Sequence, residues 1–93
     1  MTWLGQHLKI IFSKHAKWKF EVLRRHGIII TKKTIEDAVA RPDNVELGLK
    51  ETMIAQKRLD EEHLIRVIYA RKDNDIRVIT FYQSRRERYE GKV

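Results

Sequence analysis

The chain has no cysteine, one proline and four glycines in 93 residues. Without cysteine there is no disulfide framework, no thiolate nucleophile and no sulfur ligand for zinc. So little glycine leaves no phosphate-cradling loop of the P-loop or dinucleotide type. With 42% of residues hydrophobic, the chain reads as a globular domain and not as a disordered linker. No apolar run approaches the roughly 20 residues that span a bilayer. The first residues, MTWLGQHLKI, carry neither the apolar stretch nor the cleavage site of a secretory leader. A single domain over residues 1–93, cytoplasmic and with no membrane partner, is expected.

Other chemistries lack their residues. His7, His15, His26 and His63 show neither the i, i+4 pairing nor the two-residue spacing of zinc ligands. No metal and no cofactor are therefore expected. Ser13 and Ser84 have no nucleophile-elbow context, which argues against a serine hydrolase.

What the chain has is positive charge, a formal +7. Residues 1–42 hold nine Lys/Arg against three acids, whereas residues 43–93 hold eleven against ten. Such a field favours a polyanion or an acidic protein partner.

The hydrophobic pattern predicts the order β-α-α-β-β-β-β. HLKIIF (7–12) reads as a strand. Ser13 can cap a helix over KHAKWKFEVLRRH, with Gly27 as its left-handed stop. Helical spacing puts Ala16, Phe20 and Leu23 on its buried stripe and Lys14, Lys17, Arg24 and Arg25 on the opposite arc. Trp18, at the edge of that arc, is expected to lie as a lid over the core margin. Thr31 can cap a second helix with Ile35, Ala38 and Val39 inward, ended by Pro42. Strands are predicted over 44–49, 52–59, 63–70 and 75–82. A tight turn at Asp73–Asn74 would set Arg66 opposite Phe81, and strict alternation would put Tyr82 on the Val67 face. The result is an α+β layer fold.

Two features stand against this ordinary background. Arg66 interrupts the apolar strand LIRVIYA, where half-burying a guanidinium is costly unless it is paired. Pairing with Asp60 or Glu62 would be a structural reason, and phosphate binding a functional one. The segment SRRERY (84–89) then places three arginines and a tyrosine just past the expected last strand.

Together these resemble the RelE/ParE toxin superfamily. RVIY (66–69), sixteen intervening residues and RER (86–88) are similar to that superfamily's strand arginine and its basic Arg-Glu-Arg after the last strand. FSKHAKWKFEVLRRHGI and the final IRVIT…RRERYE look like the BrnT-like toxins and a related uncharacterised family. The resemblance spans residues 10–90. It implies a RelE-like fold, with two helices packed on a twisted antiparallel sheet. It also implies a type II toxin neutralised by a cognate acidic antitoxin, cleaving mRNA as a metal-independent endoribonuclease, free or on the ribosome. Carried over residue by residue, Arg86 would contact the scissile phosphate, Arg88 is the motif's second arginine, and Arg66 is the strand arginine opposite. The pattern departs at Glu62, where the family has a further arginine, and at Lys92, where it has its catalytic tyrosine. Tyr89 is then a displaced candidate, and His15 or His63 could share the proton transfers. The alternative is a non-catalytic basic module of the same fold that binds RNA, gyrase or the antitoxin only.

Overall fold

The computed structural model describes residues 9–89. Its elements are β1 (Lys9–Phe12), α1 (Lys14–Arg25), α2 (Lys32–Ala40), β2 (Asn44–Leu47), β3 (Met53–Arg58), β4 (His63–Lys72) and β5 (Asp75–Arg85), then a 3-10 turn over Arg86–Arg88. His7 and Leu8, read as the start of the first strand, lie outside the described residues.

The helix boundaries follow from local chemistry. Ser13 Oγ accepts from the Ala16 amide at 3.0 Å, satisfying one of the orphan donors at the start of α1. The same hydroxyl donates to the Ile79 carbonyl at 2.7 Å, tying the helix to β5. At the other end Gly27 takes φ +81°, the left-handed region where its missing Cβ removes the steric cost. The Gly27 and Ile28 amides return to the Arg24 and Leu23 carbonyls, at 3.0 and 2.9 Å, which is a Schellman stop. Thr31 caps α2 through the Thr34 amide. Ile35, Ala38 and Val39 are buried, as the spacing predicts.

The five strands form one sheet in the order β1-β5-β4-β3-β2. The sheet is mixed and not wholly antiparallel, because β1 pairs parallel to β5 at the edge. Between those two strands the chain passes through both helices and the other three strands, so a parallel return is accessible.

Both helices pack on one face, over Ala55, Ile65, Val67, Tyr69, Val78 and Phe81. Phe20 bridges the layers, 4.7 Å from the Phe81 ring and 5.6 Å from Phe12. Among the described residues no helix covers the opposite face. Leu64 is buried there, outside the main cluster.

The hairpin turn sits at Asp73–Asn74 as expected, with Lys72 opposite Asp75 and φ +57° at Asp73. The register then slips between Ile68 and Tyr69, because Ile79 is an extra residue in β5. Arg66 consequently faces Tyr82, and Val67 faces Phe81, which corrects the pairing predicted from strict alternation. The bulge lies where β1 stops pairing, beside the Ile79 carbonyl held by Ser13. It lets Val78 and Phe81 both reach the helix-covered core and turns Tyr82 to the open face. Trp18 also differs from expectation: it is 58% exposed, since α1 buries its Ala16–Phe20–Leu23 stripe and Trp18 stands outside it.

Candidate functional site

Arg66 projects from the middle of β4 onto the open face yet is only 5% exposed. Its neighbours across the sheet are Gln56 on β3 and Tyr82 on β5, set directly opposite by the two registers. Nε donates to Tyr82 Oη at 2.9 Å, and Nη1 donates to Gln56 Oε1 at 2.6 Å and to Glu46 Oε2 at 3.2 Å. Burial opposes the charge of Arg66, but its contacts with Tyr82 and Glu46 outweigh that and hold its pKa above the ordinary arginine value. The ion-pair partner is therefore Glu46 on the edge strand, and neither Asp60 nor Glu62.

The last turn closes over this row. Arg85 still belongs to β5, so the strand runs further than the hydrophobic pattern suggests. The Arg86 amide donates to the Glu62 carbonyl at 2.8 Å, and Arg86 Nη1 donates to the Glu61 carbonyl at 2.7 Å. These two bonds pin the 3-10 turn to the β3–β4 connection. Tyr89 then donates its amide to the Arg86 carbonyl at 3.0 Å, and its ring lies 4.1 Å from the Arg66 guanidinium carbon. This is a cation–π stack. Hydrogen bonding with Tyr82 and desolvation raise the Tyr89 phenol pKa, against the opposing charges of Arg66 and Arg88.

From the other side, Lys19 of α1 reaches the same tyrosine. Its Nζ is 5.8 Å from the Tyr82 ring centroid and 5.9 Å from that of Phe81. Desolvation lowers its pKa, with Tyr82 opposing.

The structure thus brings Arg66 and Tyr89 into contact and sets Arg88 beside Tyr89. It places Arg86 differently: the side chain lies along a surface cavity of about 130 Å³ shared with Glu61, Glu62, Arg85 and Glu87. His15 is exposed on α1 and its ring packs on Trp18, 5.6 Å between centroids. His63 Nδ1 pairs with Asp60 at 3.1 Å in the β3–β4 connection. Asp60 itself is held below the usual carboxylate range, chiefly by the Glu62 amide and further by His63.

Sequence reasoning missed Tyr82, Gln56, Glu46 and Lys19. Gln56 and Glu46 are polar interruptions of short apolar strands, like Arg66 itself, and that shared feature could have grouped them. Tyr82 could not have been found without the bulge. No family model, no curated protein and no solved structure matches this chain.

Proposed function

We propose that the chain is a toxin of the RelE/ParE type, neutralised by an acidic antitoxin, that acts on RNA through the open face around Arg66 and Tyr89. The observation that carries the reading is the Arg66–Tyr89 stack, which joins the strand arginine to the residues after the last strand. The resemblance in RVIY and RER sets Arg66 opposite Arg86 and Arg88, whereas here the pinned 3-10 turn brings Tyr89 onto Arg66 and turns Arg86 to the Glu61 carbonyl.

The chemistry is attack of an RNA 2′-hydroxyl oxygen on the adjacent phosphorus. The new O–P bond closes a 2′,3′-cyclic phosphate, the P–O5′ bond breaks, and the 2′ proton goes to a base. A proton must also reach the departing 5′ oxygen. Tyr89 stands on Arg66 with its phenol protonated at neutral pH and is the candidate donor. Its raised pKa makes it a weaker acid than an ordinary tyrosine, which points to a slow reaction. Lys19, with its lowered pKa, gives up a proton more readily than an ordinary lysine and lies 5.8 Å from the Tyr82 ring centroid. Arg88, exposed beside Tyr89, offers donors to the phosphate oxygens, where developing charge rewards them most. Arg86 serves this site as the clamp that holds the turn.

A second reading, binding without cleavage, is favoured by one observation. Arg66 is buried and already donates to Tyr82, Gln56 and Glu46, so its guanidinium acts as a scaffold for Tyr89.

Induced expression in a bacterial host tests the proposal. Wild type should arrest growth and shorten mRNA lifetimes, and the Arg88→Ala and Tyr89→Phe variants should relieve both. Co-expression of the proposed acidic antitoxin, sought among the products of neighbouring genes, should restore growth. Arrest that persists in both variants without RNA loss supports the binding module. A wild type without effect on growth or RNA overturns both readings.

A further inference from the structure

Trp18 stands on the solvent face of α1, and among the described residues it is the one large apolar side chain exposed on that helix. Lys14, Trp18, Glu21 and Arg25 follow one ridge at helical spacing, with Lys17 and Arg24 along one flank and His15 along the other. Glu21 offsets one of these charges, and the face stays net positive through Lys14 and Lys17. Arg24 takes its carboxylate at 2.7 Å, with Arg25 at 3.4 Å. The His15 and Trp18 rings are 5.6 Å apart, with planes tilted by 39°. The result is an aromatic pair standing in positive charge.

The platform lies on the outer side of the helix layer, across the sheet from Arg66 and Tyr89, and Lys19 is the link between them. Lys19 follows Trp18 in the helix and reaches the Tyr82 ring at 5.8 Å, and Tyr82 accepts from Arg66. A strand crossing the open face at Tyr89 would round the sheet past Tyr82 and Lys19 to reach Trp18.

We propose that the Trp18–His15 pair is a base-stacking subsite for single-stranded RNA, with Lys14 and Lys17, beside Trp18 on the side away from His15, holding the neighbouring phosphates. The inference rests on the RNA reading of the Arg66–Tyr89 site and adds a second contact, away from the reacting phosphate. A folded acidic partner fits this face less well. Protein interfaces bury about 800 Å² per side around an apolar core, whereas Trp18 has no exposed apolar neighbour on its helix. A nucleobase needs one aromatic face and nearby cations, and the stack is tolerant of sequence.

Fluorescence anisotropy with a labelled oligouridylate, and with an abasic sugar-phosphate strand of equal length, tests it. Trp18→Ala should weaken oligouridylate binding about 10-fold, roughly 1.4 kcal/mol and the scale of one stacked base, and leave the abasic strand unchanged. Trp18→Tyr should recover most of the loss. Thermal unfolding should be unchanged in both variants, since the side chain is largely exposed. Equal losses on both strands, or no loss on either, overturn the subsite. If Arg88→Ala weakens binding while Trp18→Ala does not, the subsite fails and the main site stands. If only Trp18→Ala weakens it, the subsite stands and the main site fails. A wild type that binds neither strand overturns both.

Discussion

Replacing Arg66 by alanine removes the one donor group that serves three side chains on three strands. Gln56 Oε1 sits in a residue 6% exposed and would be left without its 2.6 Å partner, at about 1–3 kcal/mol. The Tyr82 hydroxyl loses its donor but can still bond Tyr89, so its share is smaller. Glu46 is half exposed, so water screens its loss and its pair with Arg66 is worth under about 1 kcal/mol. The truncated stem leaves a void beneath the Tyr89 ring, which adds a cavity term. Together these give about 3–5 kcal/mol, a large part of the roughly 5–14 kcal/mol expected for a chain of this length. Urea unfolding should show that loss, and the melting temperature should fall by at least about 12 °C. Glu46→Gln should cost under about 1 kcal/mol in the same assay. A loss below about 1 kcal/mol for Arg66→Ala would refute the scaffold role, and with it the account of why an arginine occupies this strand.

Arg86→Ala should cost about 1 kcal/mol through its bond to the Glu61 carbonyl, while Arg85→Ala, more exposed, should cost under about 0.5; equal losses on thermal unfolding would deny the clamp. Thr80 Oγ1 is buried and unpartnered among the described residues, so Thr80→Val should be neutral or stabilise by up to about 1 kcal/mol; a clear loss in urea unfolding would place a partner there. Tyr89 has a folded pKa above its ordinary value, so what its hydroxyl adds is complete below about pH 10 and lost as pH rises beyond it. The stability gap between wild type and Tyr89→Phe, measured by urea unfolding against pH, should therefore be flat to about pH 10 and then close; a gap that widens there reverses the sign.

Much of the scaffold was legible because it rests on local chemistry. The Ser13 and Thr31 caps, the Gly27 stop and the inward Ile35–Ala38–Val39 stripe all depend on residues within a turn of one another. The hairpin turn at Asp73–Asn74 was legible for the same reason. What escaped was non-local. The parallel pairing of β1 with β5 depends on two segments more than sixty residues apart in sequence. The extra residue at Ile79 is anchored by Ser13, equally distant, and it alone decides that Tyr82 and not Phe81 meets Arg66.

The site divides along the same line. Arg66 announced itself as a charge in an apolar strand, and SRRERY as a basic end to the last strand. That Tyr89 would stack on Arg66, while Arg86 turned to the Glu61 carbonyl, depends on a 3-10 turn that no periodicity marks. Trp18 was misread because an apolar residue beside a buried stripe is usually drawn into the core. Here the stripe is already filled by Ala16, Phe20 and Leu23.

The central claim, that the Arg66–Tyr89 face cleaves RNA by its own 2′-hydroxyl, is tested most directly by the end groups of the products. A labelled RNA is incubated with the purified protein in a chelator, beside a DNA of the same sequence. The account predicts 2′,3′-cyclic phosphate and 5′-hydroxyl ends on RNA, intact DNA, and a rate lower by roughly 10²–10⁴ in Tyr89→Phe. Cleavage abolished by the chelator, DNA cut as readily as RNA, or an unchanged rate in Tyr89→Phe and Arg88→Ala would contradict it.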